Sequence, residues 1–181
     1  MDRKGPVVFI LPKAPVPKEG RIGPDTWQDW YRATELAVKI FRERSGMCLL
    51  IATDFIVSDE GSEGESYLKT LKDLGVQDSE VVFIREGSET IEQLHVADRF
   101  ARAAGRPLII VHVPIHALRV WYLCIKDEIR ASCRMRLISI PKPKYFLIDL
   151  ILTFLFPILD LFGLRAWYLD RLKQRRLRGK I

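Results

Sequence analysis

A chain of 181 residues, 48% hydrophobic and 29% charged, is long enough to bury a sizeable core and lies far from the disordered class. Its net charge of +6 is concentrated at one end: residues 165–181 hold seven Lys/Arg and one Asp, while the first 164 residues hold 22 of each sign. The basic balance therefore describes the tail, and no nucleic acid is expected as a partner of the body.

Taken in chain order, apolar runs alternate with helix-like runs. Val7-Val8-Phe9-Ile10-Leu11 reads as a first strand. The stretch 12–24 carries four prolines and two glycines and reads as a loop. Asp25, with Gln28 three residues on, predicts a capped helix to Arg44, which Ser45-Gly46 ends. A second strand is expected over residues 47–53. An acidic loop with Asp54, Asp59, Glu60, Glu63 and Glu65 follows, then a helix over about residues 62–74 that Gly75 stops. Val81-Val82-Phe83-Ile84 is a third strand. Thr90-Ile91-Glu92-Gln93 reads as a capping box opening a helix to Ala104. A fourth strand over 107–113, a helix over about 115–127, a fifth strand over 136–140 and a long apolar helix from Tyr145 complete the pattern.

Strands alternating with helices, each strand almost wholly apolar, predict an α/β domain. The expected form is a three-layer αβα, doubly wound, Rossmann-like fold with a mainly parallel sheet of about five strands. Residues 1–144 form the core in this reading, and residues 145–181 an apolar helix with a polybasic tail. Three cysteines, Cys48, Cys124 and Cys133, show no CxxC or zinc spacing and read as free, mostly buried thiols of a reducing, cytoplasmic compartment. The apolar run behind Met1-Asp2-Arg3-Lys4 ends at Leu11 before prolines, so no secretory leader is expected.

In doubly wound sheets ligands bind outside the carboxyl ends of the strands. That rule selects Lys13, Thr53 and Asp54, residues 85–90 including Ser88 and Thr90, and residues 112–119. In Val111-His112-Val113-Pro114-Ile115-His116-Ala117-Leu118-Arg119, the spacing of three puts His116 and Arg119 on one helix face. A histidine there can move a proton, the arginine can clamp a carboxylate or phosphate, and the helix start adds N–H donors. The plainer reading is a capping histidine and an arginine paired with an acid. For Thr90 the plainer reading is a capping hydroxyl, and for Glu92, His95 and Arg99 a solvated, salt-bridged stripe. The acids between Asp54 and Glu65 fit no calcium-loop spacing, and no metal is expected. GxGxxG, Walker, GxSxG and HExxH motifs are absent, which argues against dinucleotide binding and P-loop hydrolysis.

Together these positions resemble the SanA/ElyC/YdcF-like family of small envelope-associated proteins. Arg32 in Trp30-Tyr31-Arg32-Ala33 stands where that family has a helix arginine, and Glu65 in Glu63-Gly64-Glu65-Ser66 at or near its second-helix glutamate. Ser88-Glu89-Thr90-Ile91-Glu92-Gln93 resembles the family's Ser-x-Asn-Thr-x-Glu-Asn signature, and Ile115-His116-Ala117-Leu118-Arg119 its Tyr-His-x-x-Arg signature. Leu74-Gly75-Val76, Ile138-Ser139-Ile140-Pro141 and Asp160-Leu161-Phe162-Gly163 are similar to further family positions. The pattern departs where a Ser-Gly-Gly turn is replaced by Ala52-Thr53-Asp54, two asparagines by Glu89 and Gln93, and a tyrosine by Ile115.

The resemblance implies a Rossmann-like domain serving cell-envelope biogenesis. Its ligand would be small and anionic, phosphorylated or nucleotide-like. His116 and Glu65 are the catalytic candidates; Arg32, Asp54, Ser88, Thr90, Glu92 and Arg119 are the ligand-binding candidates. Neither a cofactor nor a reaction follows from it. The alternative is a catalytically degenerate, membrane-peripheral scaffold. His116 and Arg119, placed at a solvated crevice, are expected to contribute about 1 kcal/mol or less to stability. Residues 145–164 approach the length of a bilayer span but contain Asp149, Pro157 and Asp160. With the basic residues 165–181 behind them, they predict a segment that packs partly on the domain and partly contacts an anionic cytoplasmic membrane face, rather than a crossing.

Overall fold

The structure is a computed structural model that describes residues 5–12, 28–53, 56–58, 61–87, 89–135 and 143–177. The chain divides into two compact units, residues 1–139 and 140–181.

The first unit is built on β1 (Val7–Ile10), α1 (Gln28–Glu43), β2 (Cys48–Ala52), the short strands β3 (Ile56–Ser58) and β4 (Gly61–Ser62), and α2 (Glu63–Asp73). Then come β5 (Val81–Ile84), α3 (Thr90–Ala103), β6 (Leu108–Val111), α4 (Ala117–Lys126) and β7 (Ala131–Arg134). Five strands form one all-parallel sheet in the order β5-β2-β1-β6-β7; β3 and β4 make a separate antiparallel pair. The chain runs outward from β1 through β2 to β5, then crosses back past β1 to β6 and β7. The expected doubly wound α/β sheet is thus present.

Alternation along the strands explains why so little polarity is tolerated. Val8 and Ile10, Leu49 and Ile51, and Ile109 and Val111 point to one face, where they cluster with Trp30, Ala37 and Phe41 of α1 and Tyr67 and Leu71 of α2. Their neighbours Val7, Phe9, Leu50 and Ile110 point to the other face and are equally buried; α3 contacts β2 and β6. The outermost strands are less covered: β5 is half-buried throughout, and β7 alternates between half-buried and exposed.

Several expectations change. The fifth strand of the sheet is Ala131–Arg134 rather than residues 136–140, which lie outside the described residues. Its sequence Ala-Ser-Cys-Arg has little apolar signal because an edge strand needs little. The capping box at Thr90 is not formed: Glu89 is the N-cap of α3, and no side chain caps it. The expected cap at Asp25 lies outside the described residues, as does Lys13.

The second unit comprises α5 (Pro143–Leu161) and α6 (Arg165–Leu177). Over residues 165–177 the basic tail is therefore helical. The break is a Schellman turn: Gly163 has φ +67°, its N–H bonds Asp160 O at 3.2 Å, and the Leu164 N–H bonds Leu159 O at 2.7 Å. Arg165 then forks onto both carboxylate oxygens of Asp160, and Phe156 meets Tyr168 edge to face at 6.3 Å. No helix among the described residues is long and apolar enough to cross a membrane.

Candidate functional site

All five sheet strands run in the same direction, so β1, β2, β5 and β6 deliver their carboxyl ends to one edge. The starts of α2, α3 and α4 return along that edge. The strand order reverses between β1 and β6, and β6 leads directly into His112 and the 3-10 turn Pro114–His116.

His116 closes that turn and stands at the N-cap of α4, with no side-chain capping bond. It is fully buried, and Arg119 is 4% exposed. The pattern that buries Val120 and Leu123 of α4 extends backward at helical spacing to His116 and Arg119. Arg119 Nη2 lies 2.9 Å from His116 Nδ1. A guanidinium has donors and no acceptor, so His116 Nδ1 must accept. The ring is then the neutral tautomer with its proton on Nε2. The histidine does not cap the helix, and the arginine hydrogen-bonds the histidine. The expectation of a solvated crevice is also corrected, because both side chains are buried at the start of α4.

At the start of α2, Glu63 is the buried glutamate, 5% exposed, and it accepts a hydrogen bond from Thr53 Oγ1 at 3.2 Å. The Thr53 N–H in turn bonds Ile84 O at 3.0 Å, which ties the end of β2 to β5. Gly64 fits between them: a Cβ there would lie 2.3 Å from the Phe83 ring and 3.2 Å from Thr53 Cγ2. Glu65 faces outward to a partly exposed ion pair with Arg85 at 3.3 Å. Sequence reasoning weighted Glu65 and passed over Glu63. The stripe Tyr67–Leu71 extrapolated back by one turn marks Glu63 as the inward position.

Thr90 is half-buried at the first position of α3, and Glu92 is half-buried one residue past Ile91. Gln93 is the buried polar residue of this turn, donating from Nε2 to Gly87 O at 3.2 Å. Arg32 is half-buried in the second turn of α1. Asp54 and Ser88 lie outside the described residues. Farther along α3, His95 pairs with Asp127 at 3.4 Å and Arg99 with Glu86 at 2.8 Å, a partly solvated charged stripe. Among the described residues no group of three or more His, Cys, Asp or Glu side chains could hold a metal ion.

The site thus combines a buried Arg119–His116 pair at the start of α4 with a buried Thr53–Glu63 pair at the start of α2. Both lie along one sheet edge. The chain matches no known family model, no curated protein and no solved structure.

Proposed function

We propose that the first unit binds, and acts on, a small anionic ligand at the carboxyl edge of its sheet. The ligand is phosphorylated or nucleotide-like, and the setting is cell-envelope biogenesis, as the resemblance to SanA/ElyC/YdcF-like proteins implies. The observation that carries the proposal is the buried Arg119–His116 pair where β6 turns into α4. A fixed cation beside a helix start, at the point where the strand order reverses, favours an anion twice over. Arg119 supplies the charge and holds His116 as an Nε2–H donor, suited to donate a proton or hydrogen bond to the ligand. Arg32 and Thr90 complete the ligand contacts from the starts of α1 and α3. Glu63, rather than Glu65, orients the start of α2.

The test is thermal unfolding of the full chain with pyrophosphate, nucleoside diphosphates and a short-chain polyprenyl phosphate. A ligand at about 100 times its Kd adds about 2.7 kcal/mol. At about 2–4 °C per kcal/mol for a chain of this size, that raises the midpoint by roughly 5–10 °C. Arg119→Lys should remove the rise. No rise with any probe, or an equal rise in the variant, overturns the proposal.

A second reading, a membrane-peripheral scaffold, is favoured by the second unit. Residues 165–181 carry a charge of +6, and Leu161, Phe162, Leu164 and Trp167 are exposed. A basic helix with exposed apolar and aromatic side chains suits an anionic surface. Co-sedimentation with phosphatidylglycerol vesicles, weakened by salt and lost with zwitterionic vesicles, is the expected result.

A further inference from the structure

The other histidine after β6 belongs to a different cluster. Strands β6 and β7 pair with Ile110 opposite Cys133 and Val111 opposite Arg134. The ladder runs one step farther, because the His112 N–H bonds Arg134 O at 3.1 Å. By alternation, Ile110, His112 and Cys133 share one face of the sheet. His112 is buried, and its Nδ1 lies 2.9 Å from Val113 O. A carbonyl only accepts, so Nδ1 carries the proton and Nε2 is the ring nitrogen left for the Cys133 thiol, with which His112 interacts. On the same face Cys124 of α4 lies close enough to Cys133 for the two thiols to perturb each other. Both sulfurs line a surface groove of about 580 Å3, with Trp121, Ile125, Ile129 and Arg130. Both cysteines are half-buried, so a small reagent can reach them.

The surroundings polarise the pair. The hydrogen bond from Cys124 lowers the Cys133 thiol most, and the hydrogen bond and charge of His112 and the charge of Arg134 add to it. Together they outweigh burial and bring it to about 5. Cys124 moves the opposite way, because it donates to Cys133, is partly desolvated, and faces Cys133, Asp127 and Asp98. One sulfur is thus held as thiolate and its neighbour as thiol.

We propose that Cys133 and Cys124 form a peroxide-reactive dithiol, with Cys133 as the attacking sulfur and Cys124 as the resolving one. The Cys133 thiolate attacks one oxygen of hydrogen peroxide; the S–O bond forms, and the O–O bond breaks. The departing hydroxide takes the proton that His112 Nε2 received from the Cys133 thiol and leaves as water. Cys124 then attacks the sulfenic sulfur; the S–S bond forms, the S–O bond breaks, and hydroxide leaves with the Cys124 proton as a second water. Two thiols and one peroxide give one disulfide and two waters, and a small-molecule thiol such as glutathione reverses the step by exchange. Cys48 stays outside this chemistry: it is buried under the sheet face, and burial pushes its thiol up to about 11.

The test is exposure of the reduced full chain to hydrogen peroxide, followed by intact mass and peptide mapping. The wild type should lose about 2 Da and yield one Cys124–Cys133 cross-linked peptide, with Cys48 still free. Cys124→Ser should instead gain about 16 Da as a sulfenic acid that dimedone captures on Cys133. Cys133→Ser should lose its thiols at least about tenfold more slowly than wild type. A wild type that shows no such cross-link overturns the proposal without recourse to any variant. So does Cys133→Ser oxidising as fast as wild type.

Discussion

Gly64→Ala tests the packing that sets the start of α2 against the sheet. The new Cβ would lie 2.3 Å from both Cε2 and Cζ of Phe83 and 3.2 Å from Thr53 Cγ2. Carbon atoms in ordinary contact are about 3.5–4.0 Å apart, so the ring or the helix must withdraw by roughly 1.2 Å or more. Phe83 is half-buried on an outer strand with Arg85 stacked over it at 5.6 Å, so the ring can move only by disturbing that contact. Overpacking of this kind costs about 1–3 kcal/mol. Alanine recovers less than about 1 kcal/mol of helix propensity, because the position is in the first turn. The net expectation is a loss of about 1–2 kcal/mol, read as a lower urea midpoint at unchanged slope. In a Phe83→Leu background the same substitution should cost less than about 0.5 kcal/mol, because the clashing ring edge is gone. A Gly64→Ala protein as stable as wild type, or an equal penalty in both backgrounds, would refute the packing described here.

Arg119→Met should cost about 1–3 kcal/mol by removing the donor to a buried His116 Nδ1, rather than the smaller loss expected of a solvated crevice; urea unfolding reads it. Gly87→Ala should destabilise by about 1–3 kcal/mol, since φ is +94° and the added Cβ would lie 3.0 Å from the Gln93 backbone nitrogen; the same assay applies. For Cys133 the sign follows from its thiol being held down near 5: the reactive thiolate persists as pH falls from 9, and is lost only through about 5. Iodoacetamide labelling of Cys133 should therefore be nearly flat from pH 9 to 6, where an ordinary thiol slows about tenfold per pH unit. Cys124→Ala, which removes the largest stabilising hydrogen bond, should move the midpoint upward; an unchanged profile would contradict that assignment.

How much of this was legible in the sequence depends on how many faces of each element are buried. The strands β1, β2 and β6 carry VVFI, CLLIA and LIIV, short apolar runs that suit strands covered on both faces, and the half-buried outer strand β5 repeats VVFI. The outer strand β7 carries ASCR, half of it exposed, so its pattern was too weak to compete with the more strand-like residues 136–140. The β3–β4 pair is only three and two residues long, below the length at which alternation can be seen. The break at Gly163 left a usable signal that charge obscured. A glycine followed by Leu164 is the sequence form of a Schellman turn, and Leu164, Tyr168 and Leu172 recur at helical spacing through the basic run.

At the candidate site the sequence indicated which residues to watch but not their surroundings. Spacing put His116 and Arg119 on one face, which does not say whether that face looks to water or to the sheet. The buried stripe decides it, and burial changes the chemistry available. In water, a histidine beside an arginine would be an ordinary imidazole titrating near neutrality. Here the guanidinium occupies Nδ1 from within the protein, so the ring is fixed as an Nε2–H donor. Abstracting a proton through Nδ1 would first require breaking a buried bond to a cation. Under the proposed function, the pair would therefore offer positive charge and an N–H donor to an anion rather than take a proton from a neutral substrate. The same reasoning applied to His112 gives the opposite role. Its Nδ1–H is committed to a carbonyl, so in the proposed peroxide chemistry Nε2 is the nitrogen that receives the Cys133 proton. Four residues apart in one loop and helix start, the two histidines are set as donor and acceptor by what occupies Nδ1.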